Sequence, residues 1–268
     1  MTVRKADKPV VVITGASSGI GLAAARLFHD KGFTVYGLNR HIPQESFGIN
    51  YLPADITQPQ TVIDAVSRIW QDEHRIDILI NNAGFGISGA AEFTAMDEAV
   101  RQFEVNLFGA FTCIKAVLPF MREQESGIVV NVSSVAGVIP IPFQAFYSAS
   151  KAALNCLTLA LANEDHPPKI RLCAVIPGAV RTDFTAAREK LIKGSMVYPA
   201  MARSVAVMEK DEQNGMSPEY VAKVIYNITN KRNPKPLYTA GLQYKIFVLL
   251  SRILPVRLVN YIVGKIYN

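Results

Sequence analysis

Short β-branched runs alternate with helical patterns from residue 10 to residue 241, and this alternation constrains the fold more than any other feature of the chain. The run VVVIT at 10–14 is typical of a strand buried on both faces, and similar runs begin near residues 33, 49, 76, 127, 170 and 236. Helical stretches separate most of them, for example the one that carries Val62, Val66 and Ile69. Because strands joined through helices need right-handed crossovers, we predict an α/β fold with one doubly wound parallel sheet covered on both faces.

The domain organisation follows from the length of the chain and from the positions of helix-breaking residues. A chain of 268 residues, half of them apolar, suits one large α/β domain, and we see no internal repeat or linker. We assign residues 1–241 to this domain and 242–268 to an apolar, cationic extension that Pro255 divides into two short helices. Residues 181–215 show no clean period, so we expect a loop or lid over a substrate there.

The charge of the chain is concentrated at its C-terminal end. The net charge is +6, yet no acidic residue follows Glu219, whereas eight lysines and arginines do. Nucleic acid is therefore not expected as a partner, and an anionic membrane surface suits the pattern better. Three interpretations of the extension stay open: a helix packed on the fold or on a neighbouring subunit, a lid over an apolar pocket, or a peripheral membrane contact.

Several classes of protein are disfavoured. The three cysteines lie in apolar stretches without CxxC spacing, which predicts reduced, buried thiols in a cytoplasmic protein (Cys113, Cys156, Cys173). The four histidines show no metal-ligand spacing, so we expect no metal (His29, His41, His74, His166). We find neither the apolar core of a signal peptide nor 18 uninterrupted apolar residues, and we expect no membrane-spanning helix.

The segment TGASSGIG at 14–21 joins the first strand to the first helix. Glycines at 15, 19 and 21 allow a tight turn in which backbone N–H groups approach a pyrophosphate at the helix N-terminus. The candidate contacts in this turn are Gly15, Ser17, Ser18, Gly19, Ile20 and Gly21. By itself such a turn also occurs without a ligand.

The end of the second strand should set the choice of dinucleotide. An acidic residue there would accept a hydrogen bond from the 2′-hydroxyl of NAD and would repel a 2′-phosphate. This chain has Asn39 at that place, followed by Arg40, whose guanidinium suits a phosphate. We therefore predict NADP(H), with a solvated surface arginine as the alternative.

Six motifs now occur in a fixed order: TGASSGIG, NNAG, VNLFG, NVSS, YSASK and PGAVRT. In this order they resemble the compact, single-domain branch of the short-chain dehydrogenases/reductases, and the resemblance covers residues 9 to 240. It implies a Rossmann-type fold and an NADP(H)-dependent oxidoreductase that interconverts an alcohol with a ketone or aldehyde.

The resemblance implies four catalytic positions. Tyr147 matches the general acid/base and Lys151 its partner, although a YxxxK pair alone would more often be an ordinary surface pair. We expect the neighbouring ammonium, together with an oxidised nicotinamide, to lower the pKa of the Tyr147 phenol. Ser134, thirteen positions earlier, would hydrogen-bond the reacting oxygen. Asn106 matches an asparagine of a proton relay, and a hydrogen-bonded helix amide is the equal alternative.

The same resemblance implies further contacts with the dinucleotide, all on loops that leave the carboxyl ends of strands. Tyr147 and Lys151 belong to this set, and Asn81 is expected only to brace the sheet. The others are Asp55, Ile56, Asn82, Ala83, Gly84, Pro177, Gly178, Val180 and Thr182.

The substrate is the least determined part of the prediction. The extension and the 181–215 segment resemble those of enzymes that act on bulky apolar alcohols and ketones, such as steroids and retinoids. Family members are often dimers or tetramers through their fourth and fifth helices, so we expect a homodimer or homotetramer. The alternatives are a nonenzymatic NADP(H)-sensing module and a nucleotide-sugar epimerase.

Overall fold

A computed structural model describes residues 8–164, 167, 169–191 and 193–267, so His166 of the histidine survey lies outside the described residues. Seven strands form one sheet in the order β3-β2-β1-β4-β6-β7-β9, and every neighbouring pair is parallel. The two remaining strands, each of two residues, form a separate parallel pair. In chain order the strands are β1 Val10–Thr14, β2 Thr34–Asn39, β3 Asn50–Pro53, β4 Ile78–Asn81, β5 Ile87–Ser88, β6 Gly127–Val132, β7 Ile170–Pro177, β8 Glu189–Lys190 and β9 Leu237–Ala240.

Helices cover both faces of the large sheet. They are α1 Gly19–Asp30, α2 Pro59–Glu73, α3 Met96–Phe103, α4 Ala110–Glu123, α5 Ala145–Leu161, α6 Phe184–Ala187, α7 Ala200–Gln213, α8 Pro218–Thr229, α9 Leu242–Ile253 and α10 Val256–Tyr267. One core packs α1 and α8 against the sheet, and the other packs α2, α4 and the end of α5 against the opposite face. The predicted doubly wound, Rossmann-type α/β fold is confirmed.

The strand order positions the functional loops. The chain runs outward from β1 through β2 to β3 and then returns to β4 on the other side of β1. The loops after β1 and β4 therefore leave the sheet side by side, and ligands of such folds bind at this switch point.

The segment 181–215 differs from the expected loop, because it contains α6, β8 and the 14-residue helix α7. In α7 the buried residues Met201, Ser204 and Met208 have helical spacing, but polar side chains interrupt the pattern. The extension folds into two helices on either side of Pro255, as expected.

Two further observations refine the sequence predictions. Cys156 is exposed rather than buried, whereas Cys113 and Cys173 are buried. Among the described residues one helical run, Met96–Glu123, is long and apolar enough to cross a membrane by length and composition. Its α4 half packs against the sheet through Cys113, Ile114 and Val117, as the core helix of an α/β fold does.

Candidate active site

The glycine turn after β1 is held against the loop after β4 by hydrogen bonds between the Thr14 side chain and the backbone of that loop. The Thr14 hydroxyl accepts hydrogen bonds from the backbone N–H groups of Asn82 and Ala83, both at 3.0 Å. Gly15 has φ +66°, a conformation that favours glycine. A Cβ at Gly21 would lie only 2.1 Å from the Gly15 carbonyl oxygen, so the first turn of α1 approaches the preceding turn closely because residue 21 has no side chain.

Asn39 at the end of β2 braces this turn. Its side chain is buried; it accepts from the Ala16 N–H at 3.2 Å and donates to the Ser17 hydroxyl at 2.8 Å. An aspartate could not donate the second of these hydrogen bonds. Arg40 follows as an exposed side chain at the rim of the cavity described below.

Asn81 and Asn82 make different hydrogen bonds. The Asn81 amide donates to the Asn131 side chain at 2.9 Å and to the Ala110 carbonyl at 3.2 Å, so it braces strand and helix inside the core. The Asn82 amide instead donates to the Gly15 carbonyl at 3.1 Å, at the edge of the cavity.

Ser134 lies where β6 ends and a 3₁₀ turn, Val135–Gly137, begins. Its hydroxyl accepts the Ala136 N–H at 3.1 Å and retains its own proton for another partner. This turn is fastened to α5, because the Ser133 hydroxyl donates to the Lys151 carbonyl at 3.2 Å and the Asn155 amide donates to the Gly137 carbonyl at 3.2 Å. The serine is thereby fixed relative to the helix that carries Tyr147.

Tyr147 and Lys151 lie one turn apart on α5, and Lys151 is only 4% exposed, so this is not a surface pair. The Lys151 ammonium donates to the Val132 carbonyl at 2.9 Å and lies 6.0 Å from the centre of the Tyr147 ring. Tyr147 also forms a side-chain hydrogen bond with Ser134.

The pKa values of this pair move in the directions that burial dictates. Burial raises the pKa of the Tyr147 phenol to about 12, and the hydrogen bond with Ser134 opposes the rise. Burial lowers the pKa of the Lys151 ammonium to about 8. The protein alone therefore does not produce the lowered tyrosine pKa that we expected from the sequence, because burial outweighs the lowering effects of Ser134 and Arg188. At neutral pH the phenol is protonated and can donate a proton.

Asn106 lies in a π-helical segment, Glu104–Gly109, between α3 and α4. Its amide donates to the Phe85 carbonyl at 3.0 Å and to the Ser150 hydroxyl at 3.1 Å, and its oxygen accepts the Phe85 N–H at 3.1 Å. Every polar atom of this buried side chain thus has a protein partner. The geometry matches the hydrogen-bonded helix amide, which holds the loop after Gly84 close to Lys151.

A cavity of about 1170 Å³ collects nearly all the predicted site residues. Gly21 and Asn106 are the exceptions. Gly21 lies in the first turn of α1, next to the Gly15 carbonyl, and Asn106 hydrogen-bonds the backbone of Phe85 in the loop after β4. The predicted residues on the wall are Gly15, Ser17, Ser18, Gly19, Ile20, Asn39, Arg40, Asp55, Ile56, Asn82, Ala83, Gly84, Ser134, Tyr147, Lys151, Pro177, Gly178, Val180 and Thr182.

One end of this cavity fits a dinucleotide. The free N–H groups of the first turn of α1 adjoin the glycine turn, where an anionic pyrophosphate is stabilised. The Asp55 carboxylate is oriented by the Thr57 N–H and hydroxyl, at 2.9 and 2.7 Å, beside the wall where an adenosine would lie. Among the described residues, no group of three or more His, Cys, Asp or Glu side chains could hold a metal ion.

The other end is apolar and comes largely from the C-terminal extension. Phe247 and Leu250 of α9 and Leu254, which follows that helix, line it together with Val259, Ile262, Val263 and Ile266 of α10. The extension therefore supplies most of the apolar lining at this end of the cavity.

Sequence reasoning missed an ion pair close to Tyr147. Glu212 of α7 lines the cavity and pairs with Arg188, whose side chain is fully buried; the Thr185 hydroxyl donates to the same carboxylate at 2.6 Å. Both charges act on the pKa of Tyr147, Glu212 raising it and Arg188 lowering it. The helical spacing of Met201, Ser204 and Met208 is the signal that could have revealed α7.

Comparisons with known proteins agree with this geometry. The protein-family model described as short chain dehydrogenase matches residues 9–192. The 3-ketodihydrosphingosine reductase of Bacteroides thetaiotaomicron is 41% identical over 229 residues, which cover 84% of this chain and 85% of that protein. Dehydrogenase/reductase SDR family member 7B of Mus musculus is 30% identical over 244 residues, covering 86% of this chain and 73% of that protein.

The solved structures give the same result. A short-chain dehydrogenase from Streptomyces avermitilis superposes with a TM-score of 0.81 at 29% identity, covering 94% of each chain. Other solved structures that this chain resembles hold NADP in one case and NAD in another. The chain belongs to the short-chain dehydrogenase/reductase family of oxidoreductases, which use NAD(H) or NADP(H).

Proposed function

We propose that this protein uses NADP(H) to interconvert an alcohol and a ketone or aldehyde on a bulky, apolar, lipid-like substrate. One observation carries the proposal: Ser134, Tyr147 and Lys151 meet on the wall of a cavity whose far end is lined by apolar residues of α9 and α10. A polar reacting end and an apolar enclosure fit a substrate with one carbonyl and a large hydrocarbon part.

Each of the three side chains has a separate role in the proposed reaction. In the reductive direction Tyr147 donates its proton to the carbonyl oxygen as that oxygen becomes an alkoxide. The Ser134 hydroxyl hydrogen-bonds the same oxygen and stabilises the charge that develops on it. Lys151 would hold the ribose hydroxyls of the bound nucleotide, and its positive charge would stabilise the phenolate that remains on Tyr147. Bound NADPH supplies the hydride in this direction.

The choice of NADP(H) is supported by the residues at the end of β2. Arg40 is exposed at the cavity rim, free to meet a 2′-phosphate, and Asn39 brings no negative charge to that place. With this cofactor the glycine turn would hold the pyrophosphate, and Asp55 and Ile56 would contact the adenosine.

A long-chain ketone is the first substrate class to test. The relative from Bacteroides thetaiotaomicron is named for the reduction of 3-ketodihydrosphingosine, and it matches this chain over 229 residues. The apolar wall formed by Phe247, Leu250 and Ile262 supports a hydrocarbon chain as the part of the substrate remote from the carbonyl.

The test is to follow NADPH fluorescence and product mass with 3-ketodihydrosphingosine, a steroid ketone and retinal as separate substrates. Tyr147→Phe should lower turnover at least a hundredfold while NADPH affinity stays nearly unchanged, because the ring remains and only the proton donor is lost. Tyr220→Phe, at an exposed tyrosine of α8, is the matched control and should keep full activity. Undiminished turnover by Tyr147→Phe would show that another group donates the proton.

We also propose a cytoplasmic homodimer or homotetramer formed through α4 and α5. Support comes from exposed apolar side chains on these helices and the segment before them, namely Phe108, Phe111 and Leu159. The three cysteines are free thiols, which suits a reducing compartment. Sedimentation velocity of the purified chain measures the oligomeric state.

A further inference from the structure

The helix α9 is apolar on two sides. Phe247 and Leu250 line the cavity, whereas Leu242, Ile246, Leu249 and Ile253 do not. These four recur at positions i, i+4, i+7 and i+11, so they form one stripe along the helix, and each is 49 to 74% exposed. We call Leu242, Ile246, Leu249 and Ile253 the outer stripe. An apolar stripe of this length on the surface marks a contact site.

Cations flank the outer stripe. Lys245 and Arg252, seven residues apart, lie on one side of it, and α10 adds Arg257 and Lys265, all four being exposed. The segment 242–268 contains no acidic residue. An apolar stripe beside basic side chains is the composition of a helix that lies in the interface of an anionic bilayer.

The cavity reaches the surface on the same helix pair. Phe247 and Leu250 of α9 and Ile262 and Ile266 of α10 line the cavity and are also 42 to 54% exposed. These four apolar side chains are therefore on the cavity wall and accessible to solvent at the same time, on the two helices that carry the outer stripe and its neighbouring cations.

A second copy of the chain fits this surface poorly. A symmetric dimer through α9 and α10 would bring together two segments whose charged side chains are all basic, and no carboxylate of the extension would offset them. Anionic lipid headgroups complement the same charges.

We propose that α9 and α10 dock on an anionic lipid surface, with the outer stripe at the boundary of headgroups and acyl chains. The docking stands independently of the catalytic proposal. A second statement rests on the proposed function: docking places the mouth of the cavity at the bilayer, and the apolar substrate enters from the lipid.

The experiment uses the full chain and extruded vesicles of phosphatidylcholine, with or without phosphatidylglycerol, in a cosedimentation assay. We expect binding to the anionic vesicles that weakens as salt is added, because exposed charges are screened. Lys245→Gln/Arg252→Gln should bind about 30-fold more weakly, since each basic residue near such a surface contributes about fivefold. Leu249→Glu/Ile253→Glu should bind more weakly still.

The matched control replaces exposed apolar residues elsewhere, Met96→Glu/Met196→Glu, and should bind like the wild type. Circular dichroism checks that each variant is folded. Absence of wild-type binding, or equal binding to neutral vesicles, would overturn the docking. So would a wild-type dimer that Leu249→Glu/Ile253→Glu dissociates without any change in vesicle binding, since a second copy would then cover the stripe.

The entry route is tested with substrate in vesicles and in detergent micelles. Leu249→Glu/Ile253→Glu should lose turnover of vesicle-borne ketone and keep turnover in detergent, because neither residue lines the cavity. Equal loss in both would refute the entry route and leave the docking intact. Absence of turnover by the wild type with every substrate, alongside normal vesicle binding, would instead refute the proposed function.

Discussion

The buried ammonium of Lys151 gives the protein a pH-dependent stability that one substitution should remove. Burial lowers its pKa from 10.5 to about 8, so the folded state holds this charge at a cost in free energy. Below pH 8 the folded and unfolded states both carry the proton and the cost is constant. Between pH 8 and 10.5 the folded protein has released the proton while the unfolded chain still binds it, so stability rises with pH.

The magnitude follows from the two pKa values. Between pH 7 and 9.5 the Lys151 contribution to the free energy of unfolding should rise by about 2 kcal/mol. One unit of pKa difference corresponds to about 1.4 kcal/mol, and this pH range covers most of the interval between the folded pKa of about 8 and the unfolded pKa of 10.5. Tyr147, whose pKa is raised rather than lowered, does not add to the change because its titration in the unfolded chain is centred near pH 10.

The assay is urea unfolding of wild type and Lys151→Met at both pH values, monitored by circular dichroism. The difference in unfolding free energy between the two proteins should move by about 2 kcal/mol in favour of the wild type as the pH rises. Lys223→Met, at an exposed lysine of α8, controls for the general loss of a cation. A difference that stays constant over this interval would show that Lys151 keeps its ordinary pKa in the folded protein.

Two further predictions concern the nucleotide. Gly21→Ala should weaken NADPH binding at least tenfold in a fluorescence titration, since the new methyl group would lie 2.1 Å from the Gly15 carbonyl oxygen and displace the glycine turn; unchanged affinity would mean that this turn does not hold the pyrophosphate. Arg40→Ala should weaken binding of NADPH by roughly tenfold and leave NADH unaffected, because only NADPH carries the 2′-phosphate; equal losses for both would exclude Arg40 as the residue that reads the phosphate.

The parallel sheet was predictable because its strands are buried on both faces and therefore appear as uninterrupted apolar runs. VVVIT became β1 with all five residues buried, and GIVVNV became β6 with all six buried. The site followed from the sheet, since loops at the carboxyl ends of neighbouring strands meet. The grouping of Ser134, Tyr147 and Lys151 on one cavity wall agrees with those sequence motifs.

Features that depend on tertiary surroundings were not predictable in the same way. The direction in which the Tyr147 pKa shifts depends on how much protein surrounds the ring, whereas the sequence shows only that an ammonium is nearby. Asn39 was interpreted by its lack of charge, whereas its amide also ties the end of β2 to the glycine turn. The pairing of Arg188 with Glu212 joins residues 24 positions apart, and it depends on the position of α7, which carries Glu212. This helix was not predicted because polar side chains interrupt its apolar pattern.

The contact between Gly178 and Tyr244 joins the two ends of the cavity. A Cβ at Gly178 would lie 2.2 Å from the Tyr244 ring, so the first turn of α9 rests directly on the loop after β7. A ligand that shifts this loop changes the free energy with which α9 docks, and by thermodynamic linkage a ligand held by α9 changes the affinity at the loop by the same factor. A nucleotide that displaced this loop would therefore be linked, through the contact of Tyr244 with Gly178, to the contacts made by the C-terminal helices.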